Sequence, residues 1–114
     1  MPDEKKTRQL AEEQAIAYNT RDIDAFCKCF STTVKVYDLS SNQLLFEGAD
    51  EFRKRYIERF KDINLHLTVV NKMDFGNFSI DYEQVVMGDS KEMKKVIAIY
   101  ESADGLIEKV WFIR

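Results

Sequence analysis

The sequence predicts an α+β fold in which helices cover one face of a curved antiparallel sheet. The first observation is that residues 77–114 divide into three strand-like segments, FSIDYEQVVM, MKKVIAIYES and LIEKVWFIR. The turn sequences GDSK and ADG separate them, which is typical of a strand meander. The second observation is that the amphipathic helical patterns all lie upstream of this meander. Helices followed by a run of strands favour an α+β architecture.

Two helices are expected at the N-terminal end of the chain. From about Glu4 to Asn19, apolar residues repeat on one helical face and the glutamates lie elsewhere. Asp22 is a suitable N-cap for a short second helix that extends to about Cys29, with Phe26 on its buried side. We therefore expect a helical hairpin before the first strand.

The middle of the chain predicts a strand hairpin, a third helix and a further strand. Residues 32–39 alternate as a strand does, and LLFEG returns the chain after the turn SSNQ. Residues 48–62 give the clearest helix, because Phe52, Tyr56 and Phe60 recur every four residues. Residues 64–74 form the next strand. The third helix thus carries an aromatic stripe that needs a surface to pack against.

Length and charge restrict the classes of function. A chain of 114 residues is long enough for one core, so we expect a single domain over residues 1–114. Its net charge of −3 gives no basic field that would attract nucleic acid or an anionic membrane. The N-terminus is charged from its third residue and shows no signal peptide, which predicts a cytoplasmic protein.

Cysteine and histidine content predicts neither a metal site nor a cofactor. Cys27 and Cys29 are two positions apart on a predicted helix, so they point to different faces and are expected to be reduced packing residues. His66 is the only histidine, which leaves a zinc site without enough ligands. The basic residues of positions 53–61 alternate with acidic ones, as on a solvated helix face.

Three segments carry a resemblance to a known superfamily. They are AYNTRDIDAFCKCFSTTVKVYD near the start, FEGADEFRKRY in the middle and YESADGLIEKVWFIR at the end. In these segments the chain resembles the nuclear transport factor 2-like superfamily, which includes ketosteroid isomerases and SnoaL-like polyketide cyclases. The resemblance implies a cone-shaped fold, a pocket inside the cone and a homodimer formed through the outer surface of the sheet. Fold alone does not fix function.

The resemblance to ketosteroid isomerases implies a general base at Asp38. In those enzymes an aspartate after the first strand moves a proton, while a tyrosine on the first helix and a protonated aspartate on a later strand hold the oxyanion. Asp38 falls on the position of the first of these residues. Gln14 and a position near Ile97 correspond to the other two, so the resemblance does not extend to that oxyanion hole.

Asp38 and His66 are the candidate catalytic residues. A carboxylate that faces an apolar cavity would have a raised pKa suited to proton abstraction, whereas a turn aspartate would instead accept hydrogen bonds from the backbone ahead of SSN. Histidine is the one side chain type whose unperturbed pKa lies near neutrality, which makes His66 a candidate proton donor and acceptor; its alternative role is structural or at a dimer contact. A pairing of the two across the cone would favour catalysis.

A set of polar and aromatic residues is expected to line the pocket. Gln14 places a polar amide on the apolar face of the first helix, which is costly unless the amide is hydrogen-bonded to a core backbone group or to a ligand. The aromatic members have ordinary core packing as their alternative role. The expected lining residues are Gln14, Tyr18, Phe26, Phe52, Tyr56, Phe60, Tyr82, Ile97 and Phe112.

Both faces of the terminal meander are largely apolar, which is more than a sheet with one wet face needs. We expect one face to cover the cone and the other to meet a second copy through Tyr100 and Trp111.

Two interpretations of function stay open. The first is Asp38-centred acid–base chemistry on a small, mostly apolar metabolite, as in an isomerase, cyclase or dehydratase without a cofactor. The second is a non-catalytic module that binds a ligand or a protein.

Overall fold

The computed structural model describes residues 4–114; residues 1–3, where the charged N-terminal segment begins, lie outside the described part. The described residues form three helices and six strands in the expected order. These are α1 Thr7–Thr20, α2 Ile23–Cys27, β1 Phe30–Asp38, β2 Gln43–Glu47, α3 Ala49–Arg59, β3 His66–Phe75, β4 Phe78–Met87, β5 Glu92–Ala103 and β6 Leu106–Ile113. The predicted α+β class is confirmed.

The six strands form one sheet in the order β2-β1-β6-β5-β4-β3. Four of the five neighbouring pairs are antiparallel, as expected. The exception is the parallel pair of β1 and β6, which places Val36 beside Val110 and Asp38 beside Phe112. The sheet is therefore mixed. The long connection between β1 and β6, which includes α3 and the other strands, allows the last strand to run parallel to the first.

The helical hairpin turns tightly between α1 and α2. Asp22 caps α2 as expected, since its side chain accepts a hydrogen bond from the Ala25 N–H at 3.1 Å. Arg21 precedes it with a φ of 56°, a conformation that is uncommon outside glycine. Its guanidinium group donates to the carbonyl oxygens of Asp62 and Leu65, at 3.0 and 2.6 Å, which ties this turn to the loop after α3.

Asn19 at the end of α1 is hydrogen-bonded to the edge strand β3. Its Oδ1 accepts from the Leu67 N–H at 2.7 Å, and its Nδ2 donates to the Leu67 carbonyl at 2.8 Å. Because β3 lies at the end of the strand order, these two backbone groups face away from β4 and have no strand partner. The amide of Asn19 satisfies both of them.

The helices cover one face of the sheet, here called the inner face, and the core lies between them. The inner face includes Ser79, Asp81, Glu83 and Val85 of β4, Ala98 and Tyr100 of β5, and Val110 of β6, all of them buried. The opposite, outer face includes Tyr37, Phe78, Tyr82, Ile97 and Trp111, all partly exposed. The inner face of β4 thus carries more polar groups than the outer one, and it brings these polar groups into the region beneath the helices.

Both cysteines are unbridged. Burial raises the pKa of the Cys29 thiol to about 11, so it packs as a neutral group at ordinary pH. Within residues 4–114 no group of three or more His, Cys, Asp or Glu side chains is arranged to hold a metal ion. In the same part of the chain, none of the helices has both the length and the apolar character needed to span a bilayer.

Candidate functional site

A cavity of about 400 Å³ lies between the three helices and the inner face of the sheet. This volume falls within the range of sites that hold small molecules, roughly 300–1,000 Å³. Most of its wall is apolar and aromatic, with a few polar and charged groups. It is lined by Gln14, Tyr18, Phe26, Phe30, Val36, Leu45, Phe46, Phe52, Arg55, Tyr56, Arg59, Leu67, Glu83, Val85, Val96, Tyr100, Val110, Phe112 and Arg114.

The aromatic stripe of α3 forms one wall of this cavity together with α1 and α2. The Phe26 ring lies 4.7 Å from the Tyr56 ring, and the Phe52 ring lies 4.8 Å from it, measured between centroids. Tyr18 of α1 meets the same cluster edge-on. Burial raises the pKa of Tyr56 to about 12 and also raises that of Tyr18, so both hydroxyls stay protonated.

Three buried polar side chains form a chain of hydrogen bonds in the cavity wall. Gln14 Nε2 donates to the Ala11 carbonyl at 3.0 Å and to the Tyr100 hydroxyl at 3.2 Å. The Tyr100 hydroxyl in turn donates to Glu83 Oε2 at 3.2 Å. Gln14 is therefore hydrogen-bonded to a core backbone group, which is one of the two partners expected for it. It also orients Tyr100, which lines the cavity.

Glu83 is held in its neutral form by its surroundings. Its exposed fraction is 3%, and no basic side chain of residues 4–114 forms an ion pair with it. Burial raises the pKa of Glu83 to about 8, the charge of Asp81 acts in the same direction, and the Tyr100 hydrogen bond opposes them. At neutral pH the carboxyl is therefore mostly protonated and has an O–H to donate.

Basic groups lie on the α3 side of the cavity. The guanidinium carbon of Arg55 lies 4.4 Å from the centre of the Phe46 ring, and that of Arg59 lies 5.3 Å from the centre of the Tyr56 ring. Both arginines are exposed residues that still line the cavity, so they sit where it meets solvent. Such stacking fixes the plane of a guanidinium group and leaves its N–H donors available.

Asp38 does not line the cavity, so the expectation that it faces an apolar pocket with a raised pKa is wrong. It ends β1, and its Oδ2 accepts hydrogen bonds from the Ser41 backbone N–H at 3.0 Å and from the Ser41 hydroxyl at 2.6 Å. These bonds lower the pKa of Asp38. The alternative role applies, because the carboxylate satisfies the donors of the turn that follows the strand.

His66 also lies outside the cavity lining. It is the exposed first residue of β3, and strand alternation turns its neighbours Leu65 and Leu67 inward instead. Strands β6, β5 and β4 separate β1 from β3 in the sheet. Asp38 and His66 therefore do not form the pair across the cone that would have favoured catalysis.

Three further expected lining residues are absent from the cavity wall, and one residue was placed on the wrong face. Phe60 is buried behind the wall, with its ring 5.4 Å from that of Tyr18. Tyr82 and Ile97 are cross-strand partners on the outer face. Tyr100, expected at a dimer surface, has an exposed fraction of 4% and belongs to the inner face. The other expected members, listed next, do line the cavity: Gln14, Tyr18, Phe26, Phe52, Tyr56 and Phe112.

Glu83 is the main site residue that the sequence analysis missed. A glutamate between apolar neighbours on a strand normally points to solvent, so an apolar face was expected to turn inward. The available signal was that both faces of β4 carry apolar residues, which left the inward direction undecided. Arg55 and Arg59 were missed for a related reason, because basic residues on a surface helix normally form a solvated face.

Comparison with known proteins gives matches among solved structures only. No family profile and no curated protein matches the sequence. An uncharacterised cystatin-fold protein from Novosphingobium aromaticivorans superposes with a TM-score of 0.84 at 20% identity, covering 96% of this chain and 99% of that chain. A nuclear transport factor 2-like protein of unknown function from Cytophaga hutchinsonii gives 0.80 at 17% identity, with 98% and 92% covered.

A third similar structure was solved with a bound small molecule. It is a hypothetical protein with a ketosteroid isomerase-like fold from Catenulispora acidiphila, in complex with trimethylamine. Its TM-score is 0.77 at 10% identity, and the match covers 92% of this chain and 84% of that chain. At identities this low the three matches establish a shared fold, and function has to be argued from the cavity itself.

Proposed function

We propose that this chain, which has the nuclear transport factor 2-like fold, binds a small and mostly apolar molecule between its helices and its sheet. The support is a cavity of about 400 Å³ whose wall is formed largely by aromatic and aliphatic side chains. A few convergent polar groups within an apolar cavity are the usual pattern of a small-molecule site. A protein of similar fold was crystallised with a small molecule, trimethylamine.

The observation that carries the proposal is the burial of the Glu83 carboxyl in the cavity wall, with the Tyr100 hydroxyl as its hydrogen-bond partner. Burying a carboxyl group is costly unless its polar atoms are satisfied, and Glu83 receives only the hydrogen bond from Tyr100 within the described residues. An apolar core would be better filled by a leucine. A strongly perturbed acid in a cavity is instead typical of a site that acts on a ligand.

The chemistry that this acid favours is proton transfer on a carbonyl compound. Enolisation breaks a C–H bond next to the carbonyl and forms an O–H bond. Neutral Glu83 can give its proton to the carbonyl oxygen and, once ionised, take a proton from the neighbouring carbon, which restores its neutral form. A pKa of about 8 suits both directions near neutrality. Gln14 and Tyr100 orient the carboxyl through their hydrogen bonds.

Binding is tested with naphthyl methyl ketone, a flat apolar probe with one acceptor oxygen. Two variants change one strand in matched ways: Val85→Phe fills the cavity, and Val86→Phe adds the same ring to the outer face. We expect the ketone to raise the melting temperature of the natural chain and of Val86→Phe, and not that of Val85→Phe. No binding, or equal binding by both variants, would overturn the proposal.

Catalysis is tested separately by exchange of the ketone methyl protons in heavy water, followed by proton NMR. The natural chain should accelerate the exchange, and Glu83→Gln should bind the ketone without accelerating it, because an amide donates a hydrogen bond and cannot pass on a proton. Glu92→Gln, a change at an exposed position of the neighbouring strand, serves as control. Exchange that is unaffected by Glu83→Gln contradicts the catalytic role and leaves binding intact.

We also propose that a second copy of the chain covers the outer face. Trp111 stacks on Tyr37 with ring centroids 5.8 Å apart and lies 6.0 Å from the Phe78 ring, yet all three are partly exposed. A continuous aromatic surface of this kind is typical of an interface. Sedimentation should show a dimer that Trp111→Lys dissociates, while ketone binding persists. A monomeric natural chain at high concentration would refute this.

A further inference from the structure

We infer that the molecule held in the cavity is an amphipathic carboxylate, whose anionic end binds the guanidinium group of Arg59 beside Arg55 while its apolar body lies against the aromatic wall. This inference rests on the proposed binding function and narrows it to one chemical class. It also assigns the two ends of the ligand to different parts of the cavity.

The first argument is the balance of charge around the cavity. Among residues 4–114, three arginines line it, Arg55, Arg59 and Arg114, and Glu83 is the only acidic lining residue. Because Glu83 is buried without a cationic partner, it carries little negative charge near neutrality. The lining is therefore positive, although the whole chain has a net charge of −3. A local field of this sign concentrates anions.

The second argument is that Arg59 has no internal counter-ion. The arginines at positions 8, 53 and 55 each pair with a carboxylate within 4.0 Å. Among residues 4–114 no carboxylate lies within that distance of Arg59. Its guanidinium group lies over the Tyr56 ring and beside Tyr18, where its positive charge opposes the effect of burial on the pKa of Tyr18. A fork of N–H donors is therefore held in place at the cavity without an acid of its own.

The third argument is the position of Arg55, one helical turn before Arg59. Its ion pair with Glu51 is made through Nε at 3.0 Å, and its plane is fixed by the Phe46 ring. Positions four apart face the same side of a helix. The two guanidinium groups therefore flank the same entrance, and a carboxylate between them could accept bidentate hydrogen bonds from one and a further bond from the other.

Glu83 sets the chemistry of the opposite end. An anion bound beside Glu83 would keep that carboxyl protonated, whereas a carbonyl oxygen there would accept its O–H. The ligand that fits both ends has an acceptor oxygen inside, an apolar middle and a carboxylate at the arginines. Aromatic and alicyclic keto acids are compounds of this class.

The inference is tested with naphthoate and naphthamide, two probes of the same shape that differ in charge. Isothermal titration at neutral pH and low salt should show naphthoate binding about tenfold more tightly, because a charge-assisted hydrogen bond is stronger than a neutral one. A tenfold ratio corresponds to about 1.4 kcal/mol. Arg59→Gln should remove that advantage and leave the naphthamide affinity unchanged. Lys54→Gln removes one charge from the same helix outside the cavity lining and should change neither affinity.

The outcomes separate the two levels of the argument. Equal affinities of the natural chain for both probes would overturn the carboxylate assignment and leave the proposed binding function in place. Failure of both probes and of the ketone to bind would refute the binding function itself. If Arg59→Gln weakens both probes equally, Arg59 shapes the wall and does not select charge, which also contradicts the inference. Arg59→Lys should keep part of the preference for naphthoate.

Discussion

The Tyr100 hydroxyl donates a hydrogen bond to Glu83 Oε2 at 3.2 Å, and both side chains are almost completely buried. Gln14 donates to the same hydroxyl, so α1, β5 and β4 meet through one chain of polar contacts. Because burial decides the charge of Glu83, the protonation of this group is coupled to the free energy of folding. The protonation of Glu83 can therefore be followed through the pH dependence of the unfolding free energy, without any ligand.

Glu83→Gln should change how stability depends on pH. The pKa of Glu83 is 4.5 ordinarily and about 8 in the fold, so between these values the folded chain holds a proton that the unfolded chain releases. The contribution of Glu83 to stability is therefore complete below about pH 4.5 and is lost as pH rises to about 8. The amide has no such loss, so the variant should gain on the natural chain by a few kcal/mol across this window.

Urea denaturation across this pH range measures the effect. The difference in unfolding free energy between the natural chain and Glu83→Gln is the relevant quantity, because it cancels the titration of other groups. Glu92→Gln, a change at an exposed position of β5, is the control for the loss of one carboxyl group, and the difference for Glu83→Gln should depend on pH more steeply than the difference for this control. A dependence for Glu83→Gln no steeper than that of the control would show that Glu83 is not held neutral.

Tyr100→Phe should raise the pKa of Glu83 further. The hydroxyl of Tyr100 donates to the carboxyl and thereby favours its ionised form, so its removal favours the protonated form. Stability should fall by about 1 kcal/mol, the usual net value of one hydrogen bond. Carbon NMR of the Glu83 carboxyl gives the pKa directly. Tyr82→Phe, on the outer face, should leave it unchanged, and a downward shift in Tyr100→Phe would reverse the assigned direction.

Asp38→Asn should leave binding in the cavity unchanged. The Asp38 carboxylate is occupied by Ser41 outside the cavity, and these bonds lower its pKa. A lowered pKa stabilises the fold above the ordinary pKa of the group and ceases to do so as pH falls through the lowered value. A small decrease in melting temperature is therefore expected at neutral pH and should shrink in acid. Loss of ketone affinity in Asp38→Asn would show that the cavity extends to this turn.

Arg8→Gln should destabilise the fold mainly at neutral pH. Arg8 pairs with Asp81 at 2.7 Å and with Asp74 at 2.9 Å, and the Asp81 side chain is only 1% exposed. Removal of the cation leaves a buried charge unpaired, at a cost on the order of 2–3 kcal/mol when discounted for the partial exposure of Arg8. Burial already raises the pKa of Asp81 and Arg8 opposes that effect, so the cost should shrink as pH falls and Asp81 takes up a proton.

A double-mutant cycle separates this ion pair from the loss of side-chain packing. Asp81→Asn removes the buried charge, so Arg8→Gln should cost less in that background, and both changes are measured by urea denaturation. Equal costs of Arg8→Gln in the two backgrounds would show that the pair is not coupled.

The elements of the fold could be predicted because their local signals are strong. Phe52, Tyr56 and Phe60 recur with the period of a helix, and the N-cap of α2 at Asp22 needs only residues that lie next to it in the sequence. Turn sequences divided the meander correctly. The parallel pairing of β1 with β6 is a long-range contact, and no local pattern distinguishes it from an antiparallel one.

The direction of the sheet faces could not be predicted from alternation. In β4, Ile80 and Tyr82 alternate with Asp81 and Glu83, and the rule that apolar residues turn inward places Tyr82 in the core. In the structure Asp81 turns inward instead, where Arg8 of α1 pairs with it across an interval of 73 residues. A local pattern cannot indicate partners so distant in sequence. For the same reason it did not indicate that Glu83 faces the pocket.

Asn19 also has a consequence for how the chain behaves in a crowded solution. Its amide occupies the N–H and the carbonyl of Leu67 on the open side of β3. An extended segment of another molecule therefore cannot form strand hydrogen bonds with Leu67. The register of β3 is also irregular between Val69 and Asn71, which disturbs the open edge further along the strand. Asn19 thus protects this part of the sheet edge from edge-to-edge association with neighbouring molecules.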